Sequence, residues 1–210
     1  MVRRAAMNKS NFPTKKKDVK KFEELLGVKT DTWKFLRGKK GYFSYEPTSY
    51  NVLGHIFDQY PFQETDQLID FGCGLGRVLF YAAYRNCNNV IGVEVNEDMY
   101  EMLSQNIQHC NCPAKMDGVF CPAEEYVIPD TANKFFLFNP FSVEYFQRVY
   151  CNILESIEKK PRENYIFLYN CTNKYTKFLK SRPEVEWLDY WKRWQYGPAN
   201  IVVLRIRPIS

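Results

Sequence analysis

Apolar residues recur along this chain in two rhythms, and the switching between them marks out the elements. Val19, Phe22, Leu25 and Leu26 share one face of a helix predicted over 17–26, with Gly27 as its stop. Val52, Leu53, Ile56 and Phe57 do the same for a helix over 49–59. From residue 67 onward the pattern alternates regularly. Short apolar runs at 67–71, 89–95, 116–120, 134–138 and 165–169 read as strands, and amphipathic stretches at 77–84, 97–107 and 143–157 read as helices. Near-continuous apolar strands alternating with helices imply a parallel sheet covered on both faces. The end of the chain departs from this rule. Residues 185–196 and 201–207 are two extended segments separated only by a turn at Gly197-Pro198, which requires antiparallel pairing. The expected fold is α/β, a mostly parallel seven-stranded sheet ending in an antiparallel hairpin, with helices added at the N-terminus.

The 210 residues suit one principal domain, and no apolar run approaches the ~18 residues of a membrane helix. No apolar stretch follows the basic N-terminus, so it does not read as a secretory signal, and a soluble cytoplasmic protein without membrane contact is expected. Seven cysteines at irregular spacing, with no Cys-x-x-Cys, point to reduced thiols and to no metal centre. His109-Cys110-Asn111-Cys112 is the one local cluster, and it reads as a helix end. Charge changes the picture at one place. Residues 1–40 carry 13 Lys and Arg against 4 Asp and Glu, a net +9, whereas the remaining 170 carry 16 against 20, a net −4. Residues 1–14 are expected to be disordered. Residues 1–48 thus form a basic arm, a helix and a lid-like loop, ahead of the α/β domain over 49–210. Such an arm can hold RNA or another anion by displacing counterions, or it can be a solvated tail.

The chemistry gathers at Asp70-Phe71-Gly72-Cys73-Gly74-Leu75-Gly76-Arg77, between a strand and a helix. Glycines there allow a sharp turn and close approach of backbone to ligand. Eighteen residues after Gly76, Glu94 ends the next strand, where a carboxylate can accept ribose hydroxyls. A dinucleotide fingerprint would place its third glycine at position 77, which is Arg77. A methionine-bearing nucleoside has no pyrophosphate but does carry an α-ammonium group, and Asp70 is placed to complement that charge.

The glycine loop, followed by Val90-Ile91-Gly92-Val93-Glu94, resembles the first two motifs of class I S-adenosylmethionine-dependent methyltransferases. The resemblance spans about residues 65–207. Beyond the family as a whole, the chain is similar to small bacterial members and, more distantly, to non-SET protein-lysine methyltransferases. The resemblance implies a Rossmann-like sandwich and S-adenosyl-L-methionine as cofactor. It places Asp70, Gly72, Cys73, Gly74 and Gly76 at the methionine end and Glu94 with Val95 at the ribose. It also carries Ala123 and Glu124 to the adenine, although the family's usual Gly-Asp pair is missing here. Tyr45 and Thr48, in the segment before the first strand, are the lid residues expected to touch the cofactor.

Phe138-Asn139-Pro140-Phe141 ends a strand at the edge of the sheet where ligands bind. It resembles the Asn/Asp-Pro-Pro-Tyr/Phe signature of methyltransferases acting on nitrogen, with one proline in place of two and Ser142 following. The resemblance implies that the Asn139 oxygen and a nearby carbonyl accept N–H bonds, with Pro140 shaping the turn and Phe141 stacking on a flat acceptor. The same residues also suit a turn and a helix cap. Trp187, Trp191 and Trp194 with Tyr190 could line a stacking groove, or, by alternation, place Trp187 and Trp191 on one packed face. The activity implied is methyl transfer to a nitrogen in a protein, nucleic acid or small molecule. The alternatives are a cofactor-binding protein without turnover and an RNA-binding adapter.

Overall fold

The computed structural model describes residues 13–31, 41–193, 195 and 197–207. Its strands are β1 (Gln67–Phe71), β2 (Asn89–Glu94), β3 (Lys115–Phe120), β4 (Lys134–Phe138), β5 (Tyr165–Tyr169), β6 (Val185–Trp191) and β7 (Ile201–Ile206). Its helices are α1 (Lys16–Leu26), α2 (Tyr50–Gln59), α3 (Arg77–Tyr84), α4 (Glu97–His109), α5 (Val143–Lys159) and α6 (Asn173–Lys180), with a 3-10 turn at Ala123–Glu125. The strands form one sheet in the order β3-β2-β1-β4-β5-β7-β6. All neighbours are parallel except β5 with β7 and β6 with β7.

Two-residue alternation divides the core between the faces of the sheet. Phe135 and Leu137 enter one buried cluster with α5 and α6, while Phe136 enters the other with α1, α2 and α3. β5 splits in the same way, Ile166 and Leu168 against Phe167 and Tyr169. Phe22, Leu26 and Val28 are part of the second cluster, so α1 packs on the same core as the sheet. Strand order reverses between β1 and β4, and there the carboxyl ends of adjacent strands open a cleft.

Four sequence expectations change. Leu25 is 54% exposed rather than inward, because Phe22 and Leu26 with buried Glu23 define the packed face of α1. β6 stops at Trp191 instead of running to 196, and positions 194 and 196 lie outside the described residues. A register shift between Trp187 and Asp189 inserts one residue, so Trp187 packs on the first cluster and Trp191 on the second. The tryptophans therefore do not share a face. Finally, α6 was not expected, since only Tyr175, Phe178 and Leu179 of its eight residues are buried. The expected disorder at 1–14 falls almost wholly outside the described residues. Among the described residues, no helix is long and apolar enough to cross a membrane.

Candidate cofactor and acceptor site

Gly72, Gly74 and Gly76 all have positive φ, at +73°, +54° and +88°. None of the three has room for a side chain, and a Cβ on Gly76 would lie 2.6 Å from Leu103 Cδ1. A Cβ on Gly72 would lie 2.5 Å from Pro140 Cβ, and one on Gly74 would lie 2.2 Å from the Tyr45 ring. The loop is therefore pressed between the acceptor turn on one side and the segment before α2 on the other. Glu94, buried at the end of β2, holds the loop's shape. Its Oε2 accepts the Gly74 N–H at 2.8 Å, and its Oε1 accepts those of Val95 and Asn96 at 2.9 and 2.8 Å. Three of a carboxylate's roughly four lone-pair sites are thus taken, leaving room to accept one further donor. Burial still raises the Glu94 carboxyl above its ordinary range, with these backbone donors acting in opposition. Asp70 is wholly enclosed, and burial followed by the field of Glu94 lifts its carboxyl well above that range. Burial likewise raises the Cys73 thiol, which makes it a packing group and not a nucleophile.

Arg77 takes the position where a dinucleotide loop would have glycine, and its reason is structural. Its Nε donates to Thr30 Oγ1 at 2.7 Å and its Nη2 to Glu23 Oε1 at 3.0 Å, with both charged side chains buried. Glu23 further accepts from the Thr30 N–H at 3.0 Å, the Thr30 hydroxyl and the Tyr50 hydroxyl at 3.1 Å. The Tyr45 hydroxyl donates to the Thr30 carbonyl at 2.7 Å. One polar network thus ties α1, the Tyr45 segment and the first residue of α3 behind the glycine loop. Asn106 of α4 adds a clasp, accepting from Lys29 N–H at 2.9 Å and donating to the carbonyls of Lys29 and Leu75, each at 3.0 Å.

Across the cleft, Asn139 follows β4 in a left-handed conformation, φ +40°, and Asn170 follows β5 likewise, φ +56°. Phe138 is paired with Tyr169, which brings the two asparagines to adjacent strand ends. The segment 41–45 lies over this turn. Phe43 N–H donates to the Pro140 carbonyl at 2.9 Å, Ser142 N–H donates to the Gly41 carbonyl at 2.8 Å, and Tyr42 forms a bridge with Phe141. Asn139 Oδ1 is buried and has no hydrogen-bond partner.

One cavity joins these parts. Gly72, Glu94, Val95, Ala123, Tyr45, Asn139 and Pro140 are among the residues that line it. Asp70, Cys73, Gly74 and Gly76 stand behind that lining and shape it, and Thr48 is buried away from it. Two expectations are corrected. Glu124 turns from the cavity, its Oε2 accepting from the Tyr42 hydroxyl at 2.5 Å. Phe141 is fully buried, edge-on to Tyr42 and packed in the first core cluster, so its ring offers no face to an acceptor. Sequence reasoning missed Tyr42, Phe43, Glu46, Asn96, Phe138 and Asn170 in the wall. Glu46 lies near Tyr169, whose phenol burial and then the Glu46 charge push up to about 12. No local motif marks these residues; Asn170, like Asn139 an Asn directly after an apolar strand, carried the one available signal. Among the described residues no cluster of three or more metal-ligating side chains occurs.

The family described as "Histone methylation protein DOT1" matches residues 38–130. None of the curated proteins matches the chain in sequence. Among solved structures, the chain is similar to an RNA methyltransferase from Salinibacter ruber in complex with S-adenosyl-L-homocysteine, with a TM-score of 0.61 at 16% identity, over 79% of this chain and 96% of that one. It is similar to a precorrin-6y C5,15-methyltransferase from Geobacter metallireducens, with a TM-score of 0.58 at 16% identity, over 77% and 90%. It is also similar to a TehB-like SAM-dependent methyltransferase from Corynebacterium glutamicum, with a TM-score of 0.56 at 14% identity, over 73% and 86%. At these identities the likeness is one of fold.

Proposed function

We propose that this chain, a class I S-adenosylmethionine-dependent methyltransferase, delivers its methyl group to a nitrogen, and to an aliphatic amine in preference to a planar amino group. The observation that carries the proposal is the buried, unpartnered Asn139 Oδ1 in the cavity wall. A buried acceptor without a donor costs ~1–3 kcal/mol, and an incoming N–H removes that cost. The cofactor, when bound, supplies an electrophilic methyl on a sulfonium that a lone pair displaces directly. Asn139 accepts an N–H and so turns the nitrogen lone pair toward the cleft; alignment is the main requirement of such a step. A planar amino group would want two in-plane acceptors and a stacking face. Here the Pro140 carbonyl already accepts from Phe43, and Phe141 is enclosed. An aliphatic ammonium must first lose a proton, and Glu46 in the same wall both attracts that cation and takes the proton. The description of the matched family, histone methylation, supports a protein side chain as the carrier.

The test is incubation of cell extract with the protein and isotopically methyl-labelled cofactor, followed by mass spectrometry of the labelled molecules. Label on an amine nitrogen is expected; label on carbon, oxygen or a nucleobase amino group contradicts the reading.

A second observation bears on the partner. Lys15, Lys16, Lys17, Lys20 and Lys21 are exposed at the start and along the outer face of α1. Such a ridge supports an anionic macromolecule, RNA foremost, held near the site. Replacing the five lysines by glutamine should flatten the salt dependence of RNA binding without loosening α1, whose packed face is untouched. An unchanged slope assigns the ridge to solvent.

A further inference from the structure

We propose that Cys110 and Cys112 form a reversible dithiol–disulfide site, oxidised by a peroxide and reset by a low-molecular-weight thiol, that controls how firmly α1 is held. The pair closes α4. Cys110 is the residue at which that helix ends, in extended conformation at φ −66° and ψ 130°, and both cysteines are half-buried. The Cys112 N–H donates to Cys110 Sγ at 3.5 Å, which folds the short segment back on itself. Hydrogen bonding from Cys112 holds the Cys110 thiol down at about 7, while the side-chain bond to Cys110 and then burial push Cys112 upward. Cys110 is thus the thiolate and Cys112 the resolving thiol. The other five cysteines are separate from this pair: Cys73, Cys87 and Cys171 are buried, Cys121 lies beside the cofactor cavity, and Cys151 is exposed on α5.

The residue between the two thiols gives the site its consequence. Asn111 N–H donates to the Leu26 carbonyl at 2.8 Å, and its Nδ2 donates to the Leu25 carbonyl at 3.2 Å. These are last-turn carbonyls of α1, which no intrahelical donor reaches. The fit is close, since a Cβ on Gly27, the C-cap of α1, would lie 2.3 Å from the His109 carbonyl. The segment that binds α1 is therefore the one a disulfide would reshape.

The chemistry balances with the peroxide. The Cys110 thiolate attacks one peroxide oxygen and expels hydroxide, giving a sulfenic acid. Cys112 sulfur then attacks the Cys110 sulfur and expels the second oxygen as water. Two thiols and one peroxide become one disulfide and two waters, the sulfurs losing two electrons that the peroxide gains. Two positions along the chain span at most ~7 Å between Cα atoms, the upper edge of what a disulfide bridges. A ring that small is strained, hence readily reduced, as a regulatory bridge must be.

The experiment treats the full chain with hydrogen peroxide, traps remaining thiols with iodoacetamide, and follows peptides by mass spectrometry together with hydrogen exchange. The expected result is a 110–112 peptide two hydrogens lighter and unalkylated, restored by dithiothreitol. Exchange over 22–30 and at the Asn111 amide should rise by about tenfold in the oxidised form. Cys110→Ser and Cys112→Ser should each abolish both effects, and Cys151→Ser neither. Cys110 recovered as a sulfinic acid beside an alkylated Cys112 would overturn the proposal, as would a disulfide that leaves exchange at 22–30 unchanged.

Discussion

The two strand ends that face each other across the cleft, after β1 and after β4, use their polar atoms in opposite ways. Behind β1, at the end of β2, Glu94 accepts from three backbone donors, and the buried Arg77–Glu23 pair is completed by Thr30 and Tyr50. After β4, Asn139 adopts a left-handed backbone and leaves its buried Oδ1 without a partner. The cofactor half is a finished internal network that a ligand joins at its edge. The half after β4 keeps one buried acceptor atom open, which the proposed function assigns to a substrate nitrogen. A buried acceptor without a donor costs ~1–3 kcal/mol, and in the proposed function the incoming nitrogen removes that cost.

Breaking the finished half should have the largest effect. Arg77→Ala leaves Glu23 buried without its cation and should cost about 3–5 kcal/mol of stability by chemical denaturation. A loss under 1 kcal/mol would mean the network does not anchor α1. Glu94→Ala removes the carboxylate from the ribose end and should weaken cofactor binding by ~1.5–3 kcal/mol by calorimetry. The acceptor half responds differently. Asn139→Gly tolerates the positive φ and deletes only the amide, so turnover should fall about tenfold while cofactor affinity stays within about twofold. Equal losses in both would erase the contrast between the halves.

The smallest effect sharpens the comparison through pH. The Asp70 carboxyl is raised in the folded protein, so its contribution to stability is fully present below the ordinary carboxylate range. That contribution is lost as pH rises through the folded value, because the unfolded chain ionises first. Asp70→Asn should therefore stabilise the cofactor-free protein by ~1 kcal/mol at neutral pH and by almost nothing near pH 3, read from melting at both.

How much of this was legible differs between the halves for a physical reason. The glycine loop and Glu94 are local patterns whose roles follow from backbone geometry, and β4 and β5 announce themselves as unbroken apolar runs. The reason for Arg77 was not legible, because Glu23 and Thr30 reach it from 54 and 47 residues away. Phe141 was misread for a similar reason. Its neighbours in sequence suggested a ligand face, but α5, α6 and Tyr42 enclose it. Trp187 and Trp191 followed simple alternation in the sequence, and a single inserted residue in β6 separated them. Glu124 sat at the expected position and turned away to meet Tyr42, a partner 82 residues earlier.

The central claim is that the Asn139 amide oxygen is held open for an acceptor nitrogen in line with the transferable methyl. A crystal structure of the complex with S-adenosyl-L-homocysteine tests it most directly. The account predicts that Asn139 Oδ1 remains unbonded by protein and faces the cofactor sulfur, with space between for a nitrogen ~3 Å from both the amide oxygen and the methyl position. Asn139 bonded to the cofactor itself, or turned into the protein with the space filled by a side chain, would contradict it.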